Sequence, residues 1–225
     1  KKIKCFDVNQ GCSGYIYGLS IASAYIDSGI SENVLLVCAE TYSKFINKND
    51  RTNRPIFSDG ASATLISNSK KDDIGPFLFG TDGSGSENLI VKEGAARSNF
   101  KSTLDKPELF MDGANVFLFT LSMIPQNIIS LLNSKKLKKD NINMFFFHQA
   151  SKLVIENLIE KLDLDIEKTY CNLEFKGNTV SSTIPIALED ASRQKKIRKN
   201  DLLLLSGFGV GLSWGSCIIK WDELI

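Results

Sequence analysis

Apolar and polar positions along the chain change period several times. Each change marks an element. Residues 4–8 alternate as a short strand and 9–13 carry turn residues. Residues 15–26 then place Ile16, Leu19, Ala22 and Ile26 at helical spacing, with Gly29 just past the end as a C-cap. The run NVLLVCA at 33–39 is continuously apolar and of buried-strand length, and ASATLIS at 61–67 reads as another strand. The order is strand, turn, helix, strand, strand.

That order returns near the C-terminal end. Residues 169–173 read as a strand and 176–178 as a turn. Residues 182–192 read as a helix with Pro185 in its first turn, and 202–206 and 212–221 read as strands. More elements precede this second copy: a strand at 77–80, a long helix at 116–132, a strand at 144–147 and a helix at 153–162. The pattern implies two related α/β halves, residues 1–72 and 73–225, with the first entered only at its third strand. With no initial Met, it predicts that these 225 residues are part of a longer chain, or are completed by another chain covering the strand at 4–8. Residues 82–107 are rich in Gly, Ser and Lys with little period, a long surface excursion. The lysine-rich runs at 135–139 and 193–199 read as solvated turns.

Composition narrows the function classes. A formal charge of +1 gives no field for nucleic acid or an anionic membrane, and no apolar run is read as approaching the roughly 20 residues of a membrane span. Neither a signal peptide nor a paired cysteine spacing is seen, so reduced cytoplasmic thiols are expected. Of the 5 cysteines, Cys5, Cys38 and Cys217 lie in apolar runs and read as small hydrophobes. Cys12, between Gly11 and Ser13, follows a strand and opens a helix. Asn178 sits at the same kind of junction in the second half, and His148 joins the strand at 144–147 to the following helix. Strand ends meeting helix N-termini are where open α/β sheets place their sites, and there a thiolate is favoured by the helix dipole. Each residue also has a plainer reading: a packed thiol, a satisfied core histidine, a turn-forming Asn. Their convergence on one end of the implied sheet favours chemistry.

Five segments carry a more specific signal: DVNQGCSGYIYGL (7–19), FSDGASATLI (57–66), HQAS (148–151), GNTVSSTIPIAL (177–188) and GFGVGLSWG (207–215). In content and order they resemble the blocks of the ketoacyl-acyl-carrier-protein synthase III family of condensing enzymes. The resemblance implies a thiolase-like fold, two pseudo-repeated α/β halves layered α-β-α-β-α, and a catalytic Cys12, His148 and Asn178. It implies an acyl group passed from acyl-CoA to Cys12, then decarboxylative condensation with malonyl-acyl carrier protein to give a 3-oxoacyl product. Backbone N–H groups of Cys12 and Val210 would form the oxyanion hole, with Gly209 and Gly211 permitting close approach. Arg51, Phe57, Gly113 and Phe117 would line the coenzyme A, acyl and pantetheine path. No metal or redox cofactor is implied. A cytoplasmic homodimer partnered by acyl carrier protein is. Asn115 stands where the family usually has Glu, Ser151 where it has Asn, and Leu153 in the place of a common Arg, with Lys152 nearby. In the family, the stretch that gates the acyl chain lies before the first block. Two alternatives use the same residues differently: an acyltransferase passing the acyl-Cys12 group to an amine or alcohol, and a non-catalytic coenzyme A-binding scaffold. A papain-type Cys–His–Asn hydrolase lacks its local signature here.

Overall fold

The computed structural model describes residues 3–69, 73–92 and 108–222. Helix α1 (Gly14–Asp27) carries almost no charge and is apolar nearly all round, the composition of a helix enclosed between layers. It buries Tyr15, Ile16, Leu19, Ala22 and Ile26, and Gly18 leaves room for Leu36, whose Cδ1 would stand 2.6 Å from an added Cβ. Strands β1 (Asn33–Glu40) and β2 (Gly60–Ser67) pair antiparallel on one side of it. On the other side lies a sheet of β3 (Ile74–Thr81), β6 (Met144–Phe147), β7 (Leu202–Gly209) and β8 (Ser213–Lys220), in the order β3-β8-β7-β6. Only the β6–β7 pair is parallel. Strands β4 (Leu89–Val91) and β5 (Leu109–Met111) form a separate antiparallel pair within and just after the expected excursion. Residues 93–107 of that excursion lie outside the described residues.

Alternation along the strands divides the core in two. Met144, Phe146, Leu203, Leu205 and Cys217 face α1 and α5 (Thr183–Arg193), together with Cys38 and Ile66 from the β1–β2 pair. Phe145, Phe147, Leu204 and Ile218 face the opposite way, onto α2 (Gly113–Ser134) and α3 (Lys152–Leu162). The layers therefore run α2/α3, sheet, α1/α5, sheet. The outer face of β1–β2 exposes Leu35, Val37 and Leu65, which are 62%, 59% and 64% accessible.

Several expectations need correction. Residues 4–8 form no strand. Among the described residues nothing pairs with them, and a strand without a ladder partner has no hydrogen bonds to define it. Phe6 instead lies with its ring tilted against Tyr25 of α1, centroids 5.8 Å apart, and Cys5 is exposed. The strand at 169–173 shrinks to one bridge, Thr169 with Phe145. Beyond it the Asn172 N–H donates to Gln149 Oε1 and its side chain to Asp190, and the chain turns into α4 (Leu173–Lys176). Helix α2 is long and apolar enough to cross a membrane by length and composition, contrary to the reading of the runs. Here it lays Ile124, Ile128, Leu131 and Leu132 against the sheet. The two lysine-rich runs do fall in connecting turns, where Lys135, Lys136, Lys195 and Lys196 are exposed.

Candidate active site

Cys12 sits in a 3-10 turn, Gly11–Ser13, that runs directly into α1. Three features of the distant chain fix it there. Gly207, in β7, lets the Cys12 carbonyl approach within 3.0 Å of where a Cβ would be. A Cβ on Gly209 would lie 2.8 Å from both Cβ and Sγ of Cys12, so only glycine fits. Ser213 Oγ donates to the Val210 carbonyl at 2.8 Å and stands 2.8 Å from Ser13 Oγ, tying the nucleophile turn to the Gly209–Gly211 loop. Gly11 adopts φ +55, and its missing side chain leaves room for Val210 Cγ1.

His148 follows β6, is 2% exposed, and anchors its backbone N–H on the Ser206 carbonyl at 2.8 Å. Its ring meets Phe208 edge-on, centroids 5.6 Å apart. Phe208 lies between the two glycines that touch Cys12, so one strand end serves thiol and imidazole together. Asn178 is hydrogen-bonded on both sides to the segment around Phe57: its N–H donates to the Ile56 carbonyl and its carbonyl accepts from Ser58, each at 2.9 Å. Asn178 Oδ1 accepts from the Val180 N–H at 2.9 Å, and Nδ2 points to the Ala150 carbonyl at 3.4 Å. The turn after Asn178 is bolted to the first half. Ser181 donates to Glu40 at 2.5 Å and Ser182 to the Cys38 carbonyl at 3.0 Å.

Burial decides the charge states. Desolvation pushes the Cys12 thiol up to about 12; the Val210 backbone hydrogen bond pulls it down, Glu40 pushes it up, and its own backbone N–H pulls it down. The helix terminus therefore does not give a resting thiolate, because enclosure by the β7 loop outweighs it. Burial likewise holds the His148 imidazole down to about 3 against the Val180 carbonyl, which favours the protonated ring. Thiol and imidazole are therefore both neutral groups.

The remaining expected positions divide. Phe57 stacks on Tyr42, centroids 5.5 Å apart, and burial, followed by the Cys12 sulfur where it ionises and by Glu40, pushes the Tyr42 phenol up. Arg51 is exposed in a groove of about 690 Å³ that it shares with Lys48 and Arg54. Gly211 is exposed at the end of the loop that Val210 occupies. Gly113 opens α2, and Phe117 packs against the α2–α3 core, so both are linked to the site by the resemblance alone. Two of the departures from the family pattern have local employment. Asn115 donates through backbone and side chain to Asp112, and Ser151 caps α3 by accepting from the Val154 N–H. Sequence reasoning passed over Thr183, whose Oγ1 is 2.7 Å from His148 Nδ1, and the hydroxyls of Ser13, Ser181, Ser182 and Ser213. Only their membership in the quoted blocks could have pointed to them. Among the described residues no group of three or more His, Cys, Asp or Glu side chains is placed to hold a metal ion.

The family model described as 3-oxoacyl-[acyl-carrier-protein (ACP)] synthase III matches residues 6–83, and the one for its C-terminal part matches residues 132–221. The chain belongs to this family. Among curated relatives it is 38% identical to β-ketoacyl-[acyl-carrier-protein] synthase III of Fusobacterium nucleatum, over 98% of this chain and 69% of that protein. The enzyme of the same name from Clostridioides difficile is 36% identical, over 96% of this chain and 67% of its own length. A crystal structure of a 3-oxoacyl-(acyl-carrier-protein) synthase III superposes with a TM-score of 0.91 at 40% identity, covering 96% of this chain and 68% of that one. The synthase III of Thermus thermophilus gives 0.89 at 32% identity, covering 97% and 68%. Both are thiolase-like, and so is this α/β fold.

Proposed function

We propose that this synthase III family member forms 3-oxoacyl-acyl carrier protein in two half-reactions centred on Cys12. In the first, the Cys12 sulfur attacks the carbonyl carbon of acyl-CoA. The carbon–sulfur bond to coenzyme A breaks, the coenzyme A thiolate takes the proton that Cys12 gives up, and an acyl-Cys12 thioester remains. The Val210 and Cys12 backbone N–H groups bear on the sulfur, which supports assigning them to the charge that develops on the carbonyl oxygen. A thiol held near 12 needs that help in the transition state.

In the second half-reaction the malonyl group loses carbon dioxide, and the bonding pair moves into an enolate whose oxygen carries the charge. His148 and Asn178 donate to that oxygen. The α-carbon then attacks acyl-Cys12, the carbon–carbon bond forms, and Cys12 leaves as a thiolate that takes up a proton. Neither half-reaction draws on a metal or a redox cofactor. Acyl-CoA and malonyl-acyl carrier protein are the partners this reading requires. The basic groove of Lys48, Arg51 and Arg54 supports a docking place for the phosphates of a coenzyme A-like arm. A cytoplasmic homodimer completes the proposal, supported by the exposed apolar face of Leu35, Val37 and Leu65.

One observation carries the reading. The end of β7 touches Cys12 through Gly207 and Gly209 and His148 through Phe208, while the Val180 N–H holds the Asn178 carboxamide. An acyltransferase to amines or alcohols has no use for the two neutral enolate donors that this reading assigns to His148 and Asn178. The test separates the halves. His148→Ala and Asn178→Ala are expected to accept an acyl group on Cys12 yet lose condensation by roughly 10²-fold or more, the scale of one oxyanion donor. Normal condensation by either variant would contradict the roles.

A further inference from the structure

His148 is neutral, so its ring carries one N–H, and the chemistry depends on which nitrogen holds it. Nδ1 lies 2.7 Å from Thr183 Oγ1. That oxygen also lies 3.0 Å from the Val180 carbonyl. The same carbonyl also bears on the imidazole itself, and the hydroxyl has one proton and two places here to put it. If the proton goes to the Val180 carbonyl, Nδ1 must donate across the 2.7 Å contact and Nε2 is a bare lone pair. If it goes to Nδ1, the ring proton sits on Nε2. Only the second form lets the other ring nitrogen donate to a substrate oxygen.

We propose that Thr183 is a positioning residue for the condensation step: its hydroxyl donates to His148 Nδ1 and so keeps the ring in the Nε2–H form that stabilises the enolate oxygen. The inference rests on the donor role given to His148 above. Three successive hydroxyls show the division of labour. Ser181 and Ser182 are committed to Glu40 and to the Cys38 and Gly60 carbonyls, fastening the turn to the first half. Thr183 alone is turned to the imidazole, and it is 2% exposed, so water does not compete for its proton. Val180, between the two catalytic side chains, is fully buried at φ +55, a conformation that a β-branched residue adopts only when its surroundings impose it. In that conformation its N–H steers Asn178 Oδ1 while its carbonyl lies at Thr183. One turn thereby sets the donor faces of both the amide and the imidazole.

Because His148 is the only histidine in these 225 residues, ring ¹⁵N NMR of the protein labelled at histidine, with the signal lost in His148→Gln as its assignment, reports the tautomer. The wild type at pH 7 is expected to show the Nε2–H pattern. Thr183→Val removes the hydroxyl at nearly constant volume and is expected to move the ring to the Nδ1–H form. The ratio of condensation to Cys12 acylation should then fall by about 10²- to 10³-fold. Thr183→Ser keeps the hydroxyl and should restore both the pattern and most of the ratio. An Nδ1–H pattern in the wild type overturns the inference whatever the variants do, and so does a Thr183→Val ring that stays Nε2–H. A tautomer that switches with no change in the ratio would overturn instead the donor role of His148.

Discussion

The approach of Gly209 to Cys12 can be perturbed by one methyl group. Gly209→Ala would place a Cβ 2.8 Å from Cβ and Sγ of Cys12, where ordinary contact begins at 3.4 Å, so something must yield by about 0.6 Å. Cys12 is held in its 3-10 turn and cannot retreat far, because Gly207 closes on its carbonyl from the same strand. The loop bearing Val210 is the part that moves, and it takes its N–H away from the sulfur. Withdrawing one such donor costs about 2.7–4 kcal/mol in the transition state, or 10²- to 10³-fold in rate. The overpacking, together with φ +156 at this position, should cost about 1–3 kcal/mol of stability. At about 2–4 °C per kcal/mol for a chain of this size, the protein should melt lower but still fold. The assay is single-turnover transfer from acetyl-CoA, followed by intact mass, beside a thermal melt. Gly83→Ala, where an added Cβ meets nothing within 4 Å, is the control and should leave both readings unchanged. A folded Gly209→Ala protein acylated within about threefold of the wild-type rate would refute the reasoning.

Two further outcomes follow from burial. His148 is held near 3 in the folded protein, below its ordinary 6.5. Between those values the unfolded chain binds a proton that the native one does not, so stability should fall by about 1.4 kcal/mol per pH unit as pH drops from 6.5 toward 3. Denaturant midpoints from pH 7 to 4 should show a shallower slope for His148→Gln, and equal slopes would contradict the buried neutral ring. Phe146, fully buried between the sheet and the α1/α5 layer, should cost about 3–5 kcal/mol on replacement by Ala. A change below about 1 kcal/mol in urea unfolding would place it outside the core.

Local pattern carried much of the fold. Ile16, Leu19, Ala22 and Ile26 mark α1 because its period is that of a helix face, and the apolar run at 33–39 marks a strand, although one of its faces, with Leu35 and Val37, stays exposed rather than buried. What depends on a partner was not legible. Residues 4–8 have strand composition, but a strand is a property of two segments, and among the described residues the second is not there. The stretch after Thr169 lost its strand to the side chains of Gln149 and Asp190, which lie 23 and 18 residues from Asn172. The same limit applied at the site. Cys12, His148 and Asn178 stood out because each follows a strand or turn and opens a helix. The charge state of Cys12 did not, since it is set by a loop some 200 residues further on, and neither did the 2.7 Å contact of His148 with Thr183.

The central claim is that Cys12 carries the acyl group, and peptide mapping after treatment with acetyl-CoA tests it most directly. The account predicts one added acetyl group per chain, on the peptide holding Cys12. The buried Cys38 and Cys217 and the exposed Cys5 and Cys171 should stay unmodified. An acetyl group found on Cys38 or Cys171, with Cys12 free, would contradict it.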